Sequence, residues 1–154
     1  MKNLKSFNEH ESLEPKETAG TDHLVTDIEK DSVDNKNFRK VIFTSNNMQL
    51  VVMSIPPKGD IGIETHKDVD QFFRVEEGEG NSVINGKEYE IKSGTAIVVP
   101  AGKEHNIINT SSSEDLKLYT VYSPPNHRMC TVHKTKEAAE EDDEKFDGST
   151  NVAA

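Results

Sequence analysis

Glu64 and His66, followed by Gln71 and then by His105 in the run Pro100-Ala-Gly-Lys-Glu-His105-Asn-Ile-Ile-Asn109, are the side chains here that could do chemistry together. Each offers a lone pair to a cation. Glu64 and His66 lie two residues apart, so on a β-strand they project from one face. Gln71 and His105 must then arrive from neighbouring strands. One carboxylate with two imidazoles is the donor set that suits a divalent first-row metal while leaving coordination positions open.

Such a site needs a strand scaffold, and residues 38–125 supply one. Strand patterns occupy 39–44, 48–55, 71–76, 81–84, 87–91, 95–99, 105–109 and 116–122. Pro56-Pro57 stops the second and Pro124-Pro125 closes the series. Asn85-Gly86 between two alternating runs is a hairpin signal, because both turn positions need positive φ. Seven of the nine glycines fall between Gly59 and Gly102, which puts the turns there. About eight short strands with no helical period between them predict an all-β sandwich or barrel.

The flanks read differently. Residues 1–23 are polar and acidic and are expected to form a disordered tail. The barrel domain with a short lead-in is assigned to 24–134. Residues 135–154 carry the acid run Glu140-Glu-Asp-Asp-Glu144 and are read as an acidic helix fraying into a disordered tail. Apolar residues make up 32% of the chain and charged residues 30%, with mean hydropathy −0.72, which fits one packed core with unpacked ends. A net charge of −10 argues against nucleic acid or an anionic membrane as partner. Cys130 is the single cysteine, so no disulfide forms within the chain. The first residues lack the apolar core of a signal peptide, and the expected location is the cytoplasm.

The two motifs resemble those of the cupin superfamily. The second is matched in full: Gly94, Pro100, Gly102, His105 and Asn109 stand at the family's spacings. In the first, Glu64 replaces the leading histidine and Gln71 stands where an acid is usual, six residues before Gly78. Gly59 is one residue closer to the motif than the family pattern has it. The stretch Asp70-Gln-Phe-Phe73 before Glu76-Glu-Gly-Glu-Gly80 is similar to that of a compact single-domain bacterial subgroup. The resemblance implies a double-stranded β-helix, or jelly roll, here with a short C-terminal helix and a polar N-terminal tail. It also implies a metal inside the barrel mouth, held by Glu64, His66, Gln71 and His105, and a homodimer.

Exchanging an imidazole for an amide oxygen weakens the site and moves its preference toward harder ions, Fe(II) or Mn(II), with Zn(II) also possible for the set. Asp70 becomes the ligand in place of Gln71 if the strand register slips by one. Phe73 and Val75 share the face of Gln71, and Ile107 shares that of His105, so these wall the pocket as core. Tyr119, Tyr122 and Arg74 read as ordinary strand residues that could touch it. His127 and His133 flank Cys130, but one cysteine with nearby histidines is a poor zinc signal, and a loop packed across the barrel is expected.

Three functions compete: an O2-dependent dioxygenase acting on a small molecule, a sugar isomerase of the mannose-6-phosphate type, and a non-catalytic module that binds a small ligand. The fold cannot choose among them. No general base stands out beyond the ligand set, which weighs against proton-shuttling isomerisation.

Overall fold

A computed structural model describes residues 23–152. Helix α1 spans Ile28–Asp34, starting where the Asp27 side chain accepts from Lys30 N. Nine strands follow: β1 Arg39–Thr44, β2 Gln49–Ile55, β3 Asp70–Glu77, β4 Glu79–Ile84, β5 Lys87–Lys92, β6 Ala96–Val99, β7 His105–Asn109, β8 Leu116–Ser123 and β9 Val132–His133. Helix α2, Lys136–Glu141, is capped by Thr135, whose hydroxyl accepts from Ala138 N. No helix among the described residues is long and apolar enough to cross a membrane.

The strands form two antiparallel sheets, one ordered β6-β3-β8-β2-β1-β9 and the other β5-β4-β7. This is the expected all-β jelly roll. The short β9, which the sequence patterns do not mark, pairs Arg39 with His133. Asn85 and Gly86 both take positive φ, as the hairpin between β4 and β5 requires. Gly80 answers to a different constraint: a Cβ there would stand 2.1 Å from the carbonyl oxygen of Ile108 on β7, so only glycine lets these strands close.

Register decides what the sheets enclose. Across β2, β8 and β3, Gln49 pairs with Tyr122 and Tyr122 with Gln71, forming one inward row. The next row in is Val51, Thr120 and Phe73, and beyond it lie Met53, Leu118 and Val75. The core is therefore apolar over most of its depth and polar at one end. Phe73, Val75, Ile107, Leu116 and Leu118 are fully buried in it. Gln71 is inside at 1% exposure, whereas Asp70 faces outward and accepts from Ala101 N at 2.8 Å. The register does not slip, and Asp70 is not turned toward the site.

The disordered tail expected over 1–23 lies, except for His23, outside the described residues. The fraying tail expected after α2 is corrected over 142–152, which lies as a strap against the barrel. Asn151, 2% exposed, accepts from Thr44 N and donates its own N–H to Thr44 O, both at 2.8 Å. Phe146 N donates to Asn126 O, and Glu144 accepts from Arg128 N. Composition sees the acids of this stretch but not the buried backbone groups that need partners.

Candidate metal centre

Glu64 and His66 lie in the connection from β2 to β3, outside any named strand, yet their backbone is fixed. Glu64 and His105 exchange both N–H···O bonds at 2.9 Å, an antiparallel bridge to β7. Further back Asp60 bridges Ile108 in the same sense, so the segment runs along the open edge of the smaller sheet. His66 O accepts from Gly102 N at 2.8 Å, which ties it to the turn of the second motif. The two motifs are thus joined by main-chain bonds before any side chain meets.

The side chains then converge. Ligand atoms of Glu64, His66 and His105 all lie within 4.8 Å of one another, a group that could hold a metal ion. His66 Nε2 is 3.3 Å from Glu64 Oε2, and His105 Nε2 is 3.1 Å from Gln71 Oε1. Two donors about 2.1 Å from one ion stand about 3.0 Å apart at a right angle and about 3.4 Å apart at the tetrahedral angle. Both separations fall in that range.

Hydrogen bonding says what these atoms are. His105 Nδ1 lies 3.0 Å from the Lys103 carbonyl, which can only accept, so this nitrogen carries the proton. Burial holds the His105 pKa below its ordinary value, outweighing the Lys103 carbonyl and Glu64, and the ring is neutral. Its Nε2 is then a bare lone pair. Gln71 Nε2 donates to Thr120 Oγ1 at 2.9 Å, which leaves Gln71 Oε1, a second lone pair, facing it. With the amide in this orientation two acceptors face each other in a buried place, an arrangement that a cation between them would relieve. The donor set fits a divalent ion on that observation.

The surrounding groups set the electrostatics. Burial pushes the Glu64 pKa up, but the hydrogen bond to His66 and the charge of Arg39 outweigh it and hold the carboxyl below the usual range. Arg39, 6% exposed, places Nη2 4.0 Å from Glu64 Oε1 and Nη1 3.2 Å from His133 Nδ1. Because a guanidinium only donates, His133 accepts there and donates from Nε2 to Asp142 at 2.9 Å. Desolvation drives the Tyr122 phenol far above its ordinary pKa, so it remains protonated. Its ring meets His66 edge-on with centroids 5.7 Å apart, and Phe73 meets His105 at 5.9 Å.

Of the four candidate donors read from the sequence, Glu64, His66 and His105 converge, and Gln71 lies against His105. Phe73 and Ile107 are core beneath them, as alternation predicts. Tyr122 is inside and beside the site, whereas Tyr119 and Arg74 line an outer hollow with Glu76 and α1. Asn109 is structural: its Nδ2 donates to Ile55 O and Glu114 O, and its Oδ1 accepts from Ser111 N. Sequence reasoning missed Arg39 and the two histidine–carboxylate pairs, His127 with Glu144 and His133 with Asp142. The parity of Leu116, Leu118 and Thr120 could have placed Tyr122 inside; nothing local marks Glu144.

The sequence pattern of a family described as "Cupin domain" matches residues 51–122. Uncharacterized protein YrkC of Bacillus subtilis (strain 168) is 42% identical over 124 residues, 76% of this chain and 66% of that protein. Uncharacterized protein L612 of Acanthamoeba polyphaga mimivirus is 44% identical over 107 residues, 67% of this chain and 66% of that one. The chain thus spans just under two thirds of the length of these curated relatives. The crystal structure of BH2720 from Bacillus halodurans superposes with a TM-score of 0.76 at 39% identity, covering 77% of this chain and 94% of that one.

Proposed function

The chain belongs to the cupin superfamily, and from that premise we propose that it holds one divalent metal at Glu64, His66, Gln71 and His105 and acts on a small organic anion, with O2-dependent oxygenation as the reaction. The observation that carries the metal assignment is the pair of facing acceptors, His105 Nε2 and Gln71 Oε1, 3.1 Å apart. When bound, an Fe(II) or Mn(II) ion supplies open coordination positions and Lewis acidity.

The protein's own residues define the rest. Glu64 contributes the one negative charge of the ligand set, so with a divalent ion the set carries about +1. Arg39 adds a second positive charge 4.0 Å from that carboxylate. An excess of positive charge at the polar end of the core favours a small anion over a neutral molecule. Phe73 and Ile107 floor the site and keep water from beneath it. Isomerisation of a sugar would need a base able to move a carbon-bound proton. The nearby titratable groups do not offer one: Tyr122 is held protonated, and both ring nitrogens of His127 are engaged, with Glu144 and Tyr122.

The test is oxygen consumption by protein loaded separately with Fe(II), Mn(II) and Zn(II), presented with small carboxylates and with neutral analogues of the same size. Uptake with Fe(II) or Mn(II) that requires an anion supports the reading. Anion-dependent tightening of metal binding without uptake assigns a binding module instead, and indifference to anions overturns both.

A further inference from the structure

Arg39 stands where the pattern of β1 calls for an apolar side chain. It shares the inward face with Val41, which belongs to the core. The short β9 makes this place tolerable. Arg39 and His133 are register partners, and around them Phe38 N donates to Lys134 O at 3.2 Å and Val41 N to Thr131 O at 2.9 Å. Arg39 Nη1 donates to His133 Nδ1 at 3.2 Å, and His133 Nε2 donates to Asp142, the residue that caps the end of α2, at 2.9 Å. Arg39 and His133 are 6% and 4% exposed, so water does not compete for these bonds. Arg39 Nε is buried and has no hydrogen-bond partner, so the guanidinium is oriented through its terminal nitrogens.

The second terminal nitrogen turns the charge toward Glu64. Nη2 is 4.0 Å from Glu64 Oε1, beyond a hydrogen bond but within reach of an ion pair, and burial of the guanidinium limits screening. Glu64 Oε2 lies instead 3.3 Å from His66 Nε2. The carboxylate therefore has one oxygen toward a fixed cation and the other toward a ligand histidine. That division matters for a metal. A carboxylate binds through one oxygen or through both. Each oxygen it contributes closes a coordination position that water or a substrate could otherwise take.

We propose that Arg39 is a positioning residue for the metal centre: anchored by His133 and Asp142, its guanidinium draws Glu64 Oε1 aside and leaves Oε2 as the one oxygen this carboxylate offers a metal. The proposal rests on the reading of Glu64 as a ligand. It gives the buried charge a task beyond packing, since an apolar side chain would fill the same place without the cost of desolvating a guanidinium. It also ties the end of α2 to the site through two hydrogen bonds and an ion pair. Partners of this kind orient the ligands of metal sites in general.

Arg39→Gln is the test, because the new amide can still donate to His133 Nδ1 while the cation beside Glu64 is gone. Two readings on the full chain loaded with Mn(II) decide it. One is the separation of the two carboxylate stretching bands in the infrared difference between Mn(II)-loaded and chelator-treated protein, wide when one oxygen binds and narrow when both do. The other is the number of waters on the bound ion, counted by electron spin-echo modulation in deuterium oxide. Wild type should give a wide separation. Arg39→Gln should narrow it and lose one water, as Oε1 swings onto the ion. Arg39→Lys, which restores a cation, should recover both wild-type values.

A merely structural Arg39 predicts otherwise: Arg39→Gln would lose stability while band separation and water count stayed as in wild type, and that result overturns the proposal. A narrow separation in wild type overturns it as well, as does Arg39→Lys behaving like Arg39→Gln. Should Arg39→Gln not fold, Arg39→Met replaces it with the same expectation. Should neither fold, the wild-type separation decides, a narrow one overturning the proposal and a wide one upholding it. A wild type that takes up no Mn(II) is a separate failure, that of the metal reading, and it removes the positioning role too.

Discussion

Gln71→Glu should change the sign of its effect on stability with metal. The side chain is 1% exposed, and its oxygen lies 3.1 Å from His105 Nε2, which belongs to a group whose ligand atoms are within 4.8 Å of one another. These distances hold a new carboxylate within about 8 Å of that of Glu64. At an effective dielectric near 20 the repulsion is then about 2 kcal/mol or more. In chelator the variant should melt about 8 °C below wild type, taking roughly 4 °C per kcal/mol for a domain of this size. A divalent ion removes that repulsion, and its release alone tightens binding by about 30-fold, since about 1.4 kcal/mol is tenfold. The assays are thermal melts with chelator and with excess Mn(II), and competition titration with a fluorescent chelator. Equal dissociation constants with no loss of stability in chelator would refute Gln71 as a ligand.

Three further outcomes follow from the packing. Burial, with Arg39, holds the His127 pKa below its ordinary 6.5 against the pull of Glu144. The unfolded chain therefore binds this proton first, and metal-free stability should fall as pH drops below about 6.5, by up to about 1.4 kcal/mol per unit; denaturant titrations that show stability rising there would contradict this. Asn151→Ala should cost about 1–3 kcal/mol, because Thr44 N loses its acceptor in a buried place, and a melt unchanged from wild type would return the strap to the status of a loose tail. Gly80→Ala should cost about 3 kcal/mol or abolish soluble expression, since its Cβ cannot stand 2.1 Å from Ile108 O; a crystal structure with β4 and β7 undisturbed would show that the strands yield more easily.

The barrel was legible because its signals are local. Alternation in β3 and β8, the Asn85-Gly86 turn and the proline stops each depend on a few neighbouring residues. The four candidate donors were legible for the same reason, through two motifs of fixed spacing. The partners that orient them were not. Arg39 shares the inward face of Val41 on β1, and a charged residue at such a position reads as an edge until the fold closes over it. Glu144 and Asp142 sit in an acid run whose composition is that of a solvated helix. Only tertiary structure brings them to His127 and His133. Expectation failed where a charge is buried by distant chain, and there polar partners must be found.

The most direct measurement is the metal content of the full chain purified without chelator. Elemental analysis should find about one divalent first-row ion per chain in the wild type and none in a His66→Ala/His105→Ala variant that retains its far-ultraviolet circular dichroism. Stoichiometric metal surviving in the folded double variant, or a wild type that takes up no Fe(II), Mn(II) or Zn(II) on titration, would contradict the account.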